Sequence, residues 1–306
     1  MYASMKRPIG IYQPFFKPAL IERLDPGFIP LDWLSNPTPA LRELAIHRHI
    51  AVNRIYANHR LTGLLSGKFF SKTRLRSQQV YDWISDNPGH EIYLINGLPY
   101  VPYANYNLME RSTIHHPGFE SWARSVAAEI GLEFPEELPR QTNANLCVCN
   151  YWIASAAFWE GFARDVIAPL FELIDRRQGT NEILAHHKYS APSPVYNLTI
   201  IYEKLMDRYV TSKKINALYY PWNAKSVLSL DCYKPSIKSY LETMIPHVER
   251  IDAAGSWSDS DKAWLREKYA EVNLGYSADE LLVNDPIDFD LPRFYPTASG
   301  ISPQAG

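Results

Sequence analysis

The stretch 61-LTGLLSGKFFSKTRLRSQQVYDWISDNPGHEIYLING-97 decides the fold class. Its first part is an apolar run that two glycines and a serine interrupt, a pattern typical of a backbone that passes close to another group. Ser77 can then cap a helix that ends at Pro88-Gly89. Residues 91–96 predict a strand, which Gly97 ends. A helix, a turn, a strand and a Gly-Pro loop in this order predict an α/β layer architecture.

The segments before this stretch continue the same pattern. Residues 8–13 predict a first strand, which Pro14 ends. A helix is predicted from Thr38 as N-cap, with Pro39 at the first helical position, as far as Asn58. One face of this helix is apolar. The other face carries Arg42, Glu43, His47, Arg48, His49 and Arg54.

The segments after it again alternate between strand and helix. Residues 146–154 predict a buried strand, and Ser155 opens a long apolar helix that Pro169 interrupts. A helix over 198–209 and a strand over 215–220 follow. Beyond them the pattern is helical and then rich in proline. We therefore predict an α/β domain over residues 1–220, a helical extension over 221–283 and a Pro-rich tail over 284–306.

Composition limits the possible functions. The chain has 306 residues, with 31 basic and 33 acidic side chains, so its net charge of -2 gives no electrostatic reason to bind nucleic acid. We find no signal peptide and no apolar run near the roughly 20 residues of a membrane helix, and expect a cytoplasmic protein without a transmembrane segment. The three cysteines, Cys147, Cys149 and Cys232, fit neither a zinc site nor a disulfide framework and are expected to be small buried residues.

Common catalytic motifs are missing from the sequence. It has no GxGxxG, GxxxxGK[ST], GxSxG or HExxH motif. The acidic string Ser258–Asp261 resembles a cation-binding pair, but a capping box at the start of a helix explains it better. The doublets His115-His116 and His186-His187 point to opposite faces if extended, so neither doublet alone predicts a chelating pair.

Glu203 is a further candidate on the predicted helix over 198–209. At about 100° per residue it projects away from the apolar stripe of that helix. It is therefore either solvated or directed into a cleft. The loop that contains His186 and His187 directly precedes this helix.

Three segments together suggest a family. TGLLSGKFFSK followed by HEIYLINGLPYV resembles the central part of polysaccharide-biosynthesis glycosyltransferases, a group related to the nucleotide-diphosphosugar (GT-A) transferases. NLCVCNYWIASAAFWEGFARDVIAPLFELID is similar to the strand-to-helix segment of that family, and YNLTIIYEKLMDRYV to its Tyr-x-x-x-x-x-Glu-x-Leu helix. The resemblance covers about Pro8 to Tyr220. It implies a GT-A-like, Rossmann-related mixed sheet flanked by helices, with a helical C-terminal extension.

The same resemblance implies a nucleotide-sugar donor and a glycan or lipid-linked glycan acceptor, in capsule, O-antigen or exopolysaccharide synthesis. It also implies a cytoplasmic location, peripheral at the inner membrane face. Donor binding is expected at Tyr12, Gln13, Lys68, Asn96 and Gly97. Acceptor binding is expected at His186, His187, Tyr151 and Trp152, and Glu203 is the expected general base.

The chain departs from the GT-A pattern at the metal. Many such enzymes have Asp-x-Asp after the cleft strand, where this chain has Ile95-Asn96-Gly97, so we assign no metal ligand and leave a divalent cation open. Lysine or arginine can neutralise a diphosphate instead, and Lys17, Arg42, Lys68 and Lys72 lie in the segments expected near the cleft. The alternative function is a non-catalytic glycan- or nucleotide-binding partner in polysaccharide assembly. A glycoside hydrolase ranks last, because the sequence shows no clear carboxylate pair.

Overall fold

Residues 8–177, 186–187 and 195–272 are described by a computed structural model, for 186–187 and 195–196 as backbone only. Eight strands lie in this part of the chain: β1 (Ile9–Phe15), β2 (Ile29–Asp32), β3 (Leu61–Leu64), β4 (Ile92–Leu94), β5 (Trp152–Ser155), β6 (His186–His187), β7 (Val195–Tyr196) and β8 (Ala217–Tyr219). Six of them form one mixed sheet in the order β2-β1-β3-β5-β4-β8. Strand β5 is antiparallel to both its neighbours, and the other pairs are parallel. Strands β6 and β7 pair with each other.

Helices connect these strands and follow the last one. They are α1 (Arg42–Val52), α2 (Phe69–Thr73), α3 (Ser77–Asp86), α4 (Leu108–His115), α5 (Phe119–Glu129), α6 (Ala156–Phe162), α7 (Ala168–Arg176), α8 (Asn197–Ser212), α9 (Ala224–Ser229), α10 (Pro235–Ala254) and α11 (Asp259–Val272). A π-helical turn, Ala163–Ile167, joins α6 to α7. The described part of the chain is thus an α/β fold with helices on both faces of the sheet, as the sequence predicts. No helix in it is long and apolar enough to cross a membrane.

Alternating side chains of the strands divide the core into two clusters. Ile11 and Ile153 point to the face that is covered by α3, α9, α10 and α11. Leu64 and Trp152 point to the opposite face, which is covered by α1, α5, α6, α7 and α8. Because residues one apart on a strand face opposite sides, this alternation identifies a three-layer arrangement. The helices predicted after residue 220 therefore pack on one face of the sheet.

Element boundaries differ from the sequence expectation in three main ways. Strand β1 continues through Pro14 to Phe15 instead of ending at Gln13. Strand β5 begins at Trp152 and not at residue 146, because Cys149 and Asn150 have left-handed backbones with φ of 76° and 54°. An extended strand cannot pass through two such residues.

The third difference concerns helix limits. The helix predicted from Thr38 to Asn58 is shorter, α1 (Arg42–Val52), with a separate 3-10 turn on each side, and the Thr38 side chain forms no capping hydrogen bond. Ser77 is the first residue of α3 and not its cap, and its N–H donates to the distant Asp25 carboxylate at 3.0 Å. Ser155 caps α6 as predicted, since its hydroxyl accepts from the N–H of Phe158 at 3.2 Å. Pro169 lies inside a run that is helical throughout residues 156–176, and the π-helical turn Ala163–Ile167 directly before it marks the place where the regular α-helical bonding is interrupted. The predicted tail, 284–306, lies outside the described residues.

Candidate functional site at the carboxyl ends of the strands

The strand order predicts a binding crevice at one edge of the sheet. Strand β1 has β2 on one side and β3 on the other, both parallel to it. The chain therefore leaves β1 in one direction and returns on the other side, which is the topological switch point of an open α/β sheet. Ligands in such sheets bind outside the carboxyl ends of the strands. Since β5 is antiparallel, its amino end lies at the same edge, and the segment 149–151 lies there with it.

Hydrogen bonds join the ends of three strands at this edge. The Gln13 Nε2 donates to the Ser66 carbonyl at 3.0 Å, so the carboxyl ends of β1 and β3 are joined. The Ser66 hydroxyl lies 2.7 Å from the hydroxyl of Tyr151, which precedes β5. The Gln13 Oε1 accepts from the N–H of Asp25 at 3.1 Å. Both ends of the Gln13 carboxamide are thus used inside the protein, where they set the spacing of the strands.

Asn96 and Gly97 follow β4 at the same edge. The Asn96 Nδ2 donates to Asn143 Oδ1 at 2.8 Å, and its Oδ1 accepts from the N–H of Leu98 at 3.0 Å. A Cβ atom at Gly97 would lie 2.8 Å from the Tyr151 ring and 3.0 Å from the Cys149 Sγ, closer than real contacts allow. Glycine is therefore required where this loop passes the segment before β5.

The ammonium of Lys72, on α2, lies in the middle of these groups. Its Nζ donates to the Cys149 Sγ at 3.2 Å and lies 5.8 Å from the Tyr151 ring centre. It forms no ion pair with any carboxylate of the described residues. Burial disfavours its charge, but Cys149, Tyr151 and Glu43 favour it, and the pKa of Lys72 lies above its usual value. Lys72 is therefore a half-buried cation without a matching anion.

Cys149 and Asn150 form the wall next to this ammonium. Burial raises the pKa of the Cys149 thiol, although the charge of Lys72 opposes the increase, so the thiol is neutral near pH 7. The Asn150 side chain is buried and its Oδ1 has no hydrogen-bond partner within the described structure. Two consecutive non-glycine residues with φ of 76° and 54° cost free energy, which is typical of functional sites.

Two carboxylates, one on α1 and one on α8, lie close enough to Cys149 to act on it electrostatically. The Tyr202 hydroxyl lies 2.7 Å from the Nδ1 of His47, and this contact fixes α8 against α1. Glu43 lies one turn before His47, and Glu203 directly follows Tyr202. Burial raises the pKa of Glu43; the charge of Glu203 raises it further, while Arg42 and Lys72 lower it.

The environment of Glu203 differs from that of Glu43. Its side chain is 25% exposed, and its Oε2 lies 3.2 Å from the Nζ of Lys204, which is only 3% exposed. Most of α8 is buried on all sides. The Glu203 side chain is thus partly exposed and ion-paired, and its direction into a cleft stays a prediction. Glu43 forms no ion pair within the described part of the chain, and a hydrogen bond from its own backbone N–H lowers its pKa.

Other predicted site residues lie less favourably. The Tyr12 hydroxyl lies 3.1 Å from the His59 Nε2, before the amino end of β3 and so away from the crevice. Tyr151 and Trp152 are 1% and 0% exposed, so neither offers a free ring face to a sugar in this conformation. Lys68 is half-buried directly before α2, at the carboxyl end of β3.

Sequence reasoning gave Glu43 no role and named Lys72 only as one of four available cations. The side chains of His186 and His187 lie outside the described part of the structure. The roles predicted for Tyr12, Gln13, Lys68, Asn96, Gly97, Tyr151, Trp152, His186, His187 and Glu203 all stay predictions. One feature could have identified Glu43 as a site residue. It lies on the polar face of its predicted helix, and that helix is packed into the buried core.

The acidic string at residues 258–261 is a helix cap. The Ser258 N–H donates to the Asp261 carboxylate at 2.9 Å, and the Asp261 N–H donates to the Ser258 hydroxyl at 3.1 Å, at the start of α11. The capping box predicted from the sequence is confirmed. Among the described residues no group of three His, Cys, Asp or Glu side chains is placed to hold a metal ion.

The chemistry of the crevice is thus one unmatched ammonium and two carboxylates at a topological switch point. A function has to be inferred from the site, since one fold carries many activities. No family model matches the chain, and no curated protein or solved structure matches it either.

Proposed function

We propose that this chain is a glycosyltransferase that moves a sugar from a nucleotide-diphosphate donor to a growing surface glycan, free or linked to a lipid. One observation carries the proposal: Lys72, a half-buried cation without a carboxylate partner, lies at the carboxyl ends of the strands beside Cys149. A charge in such a place is stabilised when a ligand supplies the opposite charge. A diphosphate is an anion of suitable size for a switch-point crevice.

The donor would lie along the edge of the sheet. The diphosphate would contact Lys72, and Lys68 would add a second positive charge close by. Asn96 and Gly97 would approach the sugar, because Gly97 allows a close approach of the backbone. Gln13 would act through Ser66, since its carboxamide is used inside the protein. Cationic side chains aimed at the leaving diphosphate would stabilise the charge that develops there.

The acceptor would enter from the side of α1 and α8. A sugar hydroxyl is a weak nucleophile, and a carboxylate within hydrogen-bond reach speeds its attack by taking the proton. Glu43, on α1, and Glu203, on α8, are both available. A cytoplasmic enzyme at the inner face of a membrane would meet a lipid-linked acceptor there.

The test is nucleotide binding by a Lys72→Met variant. Uridine, guanosine and thymidine diphosphates are titrated into the full chain by calorimetry. A hydrogen bond to a charged group contributes about 1.5–3 kcal/mol, so the dissociation constant should increase roughly tenfold to 150-fold. Lys225→Met, at an exposed lysine of α9, is the matched control and should bind like the wild type.

The outcomes separate the two functional classes. Equal affinity in Lys72→Met and the wild type would remove Lys72 from the donor site. Binding of one diphosphate without any turnover of its sugar derivatives would favour the non-catalytic binding partner. No binding of any nucleotide would contradict the transferase.

A further inference from the structure

The two carboxylates of the crevice are not equivalent, and the difference lies in their partners. Glu203 is bound to Lys204, whose ammonium is almost completely buried. Asp207, one turn further along α8, is also near Lys204, but burial raises the pKa of Asp207 to about 8. The Asp207 carboxylate already accepts hydrogen bonds from Gln141 and the N–H of Cys147, whereas Glu203 forms the ion pair with Lys204 at 3.2 Å and balances its charge.

A proton on Glu203 would remove that balance. Lys204 would be left as a buried cation without its partner, which is among the most unfavourable arrangements inside a protein. Glu43 differs from Glu203 in this respect, because Glu43 forms no ion pair within the described part of the chain. Proton uptake by Glu43 breaks no ion pair among the described residues, although it removes one of the charges that favour the ammonium of Lys72.

We propose that Glu43 takes the proton from the acceptor hydroxyl and that Glu203 acts as a positioning residue through its charge. The inference rests on the proposed transferase function. In the reaction the acceptor oxygen forms a bond to the anomeric carbon while the bond from that carbon to the diphosphate oxygen breaks. The hydroxyl proton moves to the Glu43 carboxylate, and the electron pair of the broken bond leaves with the nucleoside diphosphate beside Lys72.

The groups that face Glu43 come from four elements. Arg42 is its neighbour on α1, Lys72 comes from α2, and Glu203 and Tyr202 come from α8. Cys149 and Tyr151 lie on the segment before β5, and their raised pKa values keep both neutral near pH 7. The charges that act on Glu43 are therefore two cations and one carboxylate. Burial and that carboxylate favour its protonated form, which suits a group that must hold a proton during the reaction.

The experiment compares Glu43→Gln with Glu203→Gln, and uses Glu172→Gln, at an exposed carboxylate of α7, as the control. Release of nucleoside diphosphate is followed with UDP-glucose, GDP-mannose and dTDP-rhamnose, with water or a free monosaccharide as acceptor. For the donor that is turned over, Glu43→Gln should lower kcat by about 100-fold or more and leave KM for the donor nearly unchanged. Glu203→Gln should keep measurable activity.

The pH profile distinguishes a positioning role from a structural one. In the wild type kcat/KM should fall on the acidic side as Glu43 becomes protonated, above the usual pH range for a glutamate. Loss of the Glu203 charge should move this limb to lower pH. An unmoved limb in Glu203→Gln would contradict the positioning role.

A measurement without any donor checks the environment of Glu43. A carboxyl with a raised pKa stabilises the fold below its unfolded pKa and loses that contribution as the pH rises through its folded pKa. Glu43→Gln should therefore gain melting temperature over the wild type as the pH rises from about 4 to about 7, because the pKa of Glu43 is raised. A constant difference between the two proteins over that range would contradict the inference.

Failures of the two proposals look different. If a donor is turned over while Glu43→Gln keeps wild-type kcat and Glu203→Gln loses it, the function stands and the inference is wrong. If the wild type neither binds nor turns over any donor, the proposed function is overturned, and the role of Glu43 as a base falls with it.

Discussion

The crevice and the helical layer of α10 and α11 differ in whether a buried charged side chain has an ion-pair partner. In the helical layer the guanidinium of Arg140 makes a two-point contact with the Asp252 carboxylate, at 2.9 and 3.0 Å. In the crevice Lys72 and Glu43 lie half-buried and form no ion pair within the described residues. A charge that stabilises the fold is matched inside the protein, whereas a charge that awaits a ligand is not. The contrast separates structural from candidate functional residues without any aligned relatives.

The backbone shows the same contrast. Helix α10 ends at Gly255 with φ of 72°, where glycine has no steric penalty, and α11 begins with a capping box. In the crevice the left-handed positions are Cys149 and Asn150, which have side chains. The helix ends of this layer follow local sequence preferences, although Pro246 lies inside α10, whereas the left-handed residues of the crevice conflict with such preferences. Such conflicts are expected where function and not stability selects the residue.

The largest effect on the free energy of unfolding should follow removal of the Arg140 charge, which Asp252 matches. Arg140 also donates to the carbonyls of Asn105, Tyr106 and Pro102, at 2.8, 3.1 and 2.6 Å. Arg140→Met should lower the free energy of unfolding by about 3–5 kcal/mol, because it breaks a buried pair and leaves carbonyls without donors. Urea denaturation measures this change.

The same measurement on Lys72, the cation without a carboxylate partner, provides the comparison. Lys72→Met should change the free energy of unfolding by no more than about 1 kcal/mol, since no carboxylate loses its partner. Arg140→Lys keeps the charge but not the two-point geometry, and should recover only part of the stability. Equal losses in Arg140→Met and Lys72→Met would contradict the distinction between the two regions.

How much the sequence predicts follows the same division. Periodicity and caps predicted most elements in the described residues, including α6 at Ser155 and the capping box at Ser258, because these signals are local. The predicted start of β5 was wrong, because no sequence pattern indicates that Cys149 adopts a left-handed backbone. Glu43 was missed as a site residue since its role depends on α8 packing against α1, a contact between residues far apart in the chain.

The next effect depends on pH and tests the buried side of the crevice. Burial lowers the pKa of His47, beside Trp152, to about 3. The folded protein thus keeps His47 neutral, while the unfolded chain takes up a proton below about pH 6.5. The stabilising contribution is complete above that pH and is lost as the pH falls. Between pH 7 and pH 5 the titration of His47 should lower the free energy of unfolding by about 2 kcal/mol, which urea denaturation at the two pH values measures.

The control for this prediction is a residue that cannot titrate. His47→Gln keeps an acceptor for the Tyr202 hydroxyl but has no proton to gain. The wild type should lose more stability than this variant between pH 7 and pH 5. The same loss in both proteins would show that His47 is not the group responsible.

The smallest effect compares one left-handed residue at the surface with one in the crevice. Lys214 follows α8 with φ of 52°; its N–H donates to Thr211 at 3.2 Å, and the N–H of Ile215 donates to Val210 at 3.0 Å. This is the bonding pattern that glycine favours after a helix. Because the Lys214 side chain is exposed, Lys214→Gly should remove the steric penalty and stabilise the protein by about 1 kcal/mol in urea denaturation.

Cys149→Gly relieves the same kind of backbone strain and should give no such gain. The Cys149 thiol contacts the Lys72 ammonium and packs beside Gly97, so its loss leaves a buried cation without its nearest acceptor and opens a gap in the wall. These losses should equal or exceed the backbone gain. If Cys149→Gly were as stabilising as Lys214→Gly, the thiol would not be part of a packed site. The left-handed backbone of Cys149 would then be strain that no side-chain contact offsets. The proposal of a built site beside Lys72 would lose its structural support.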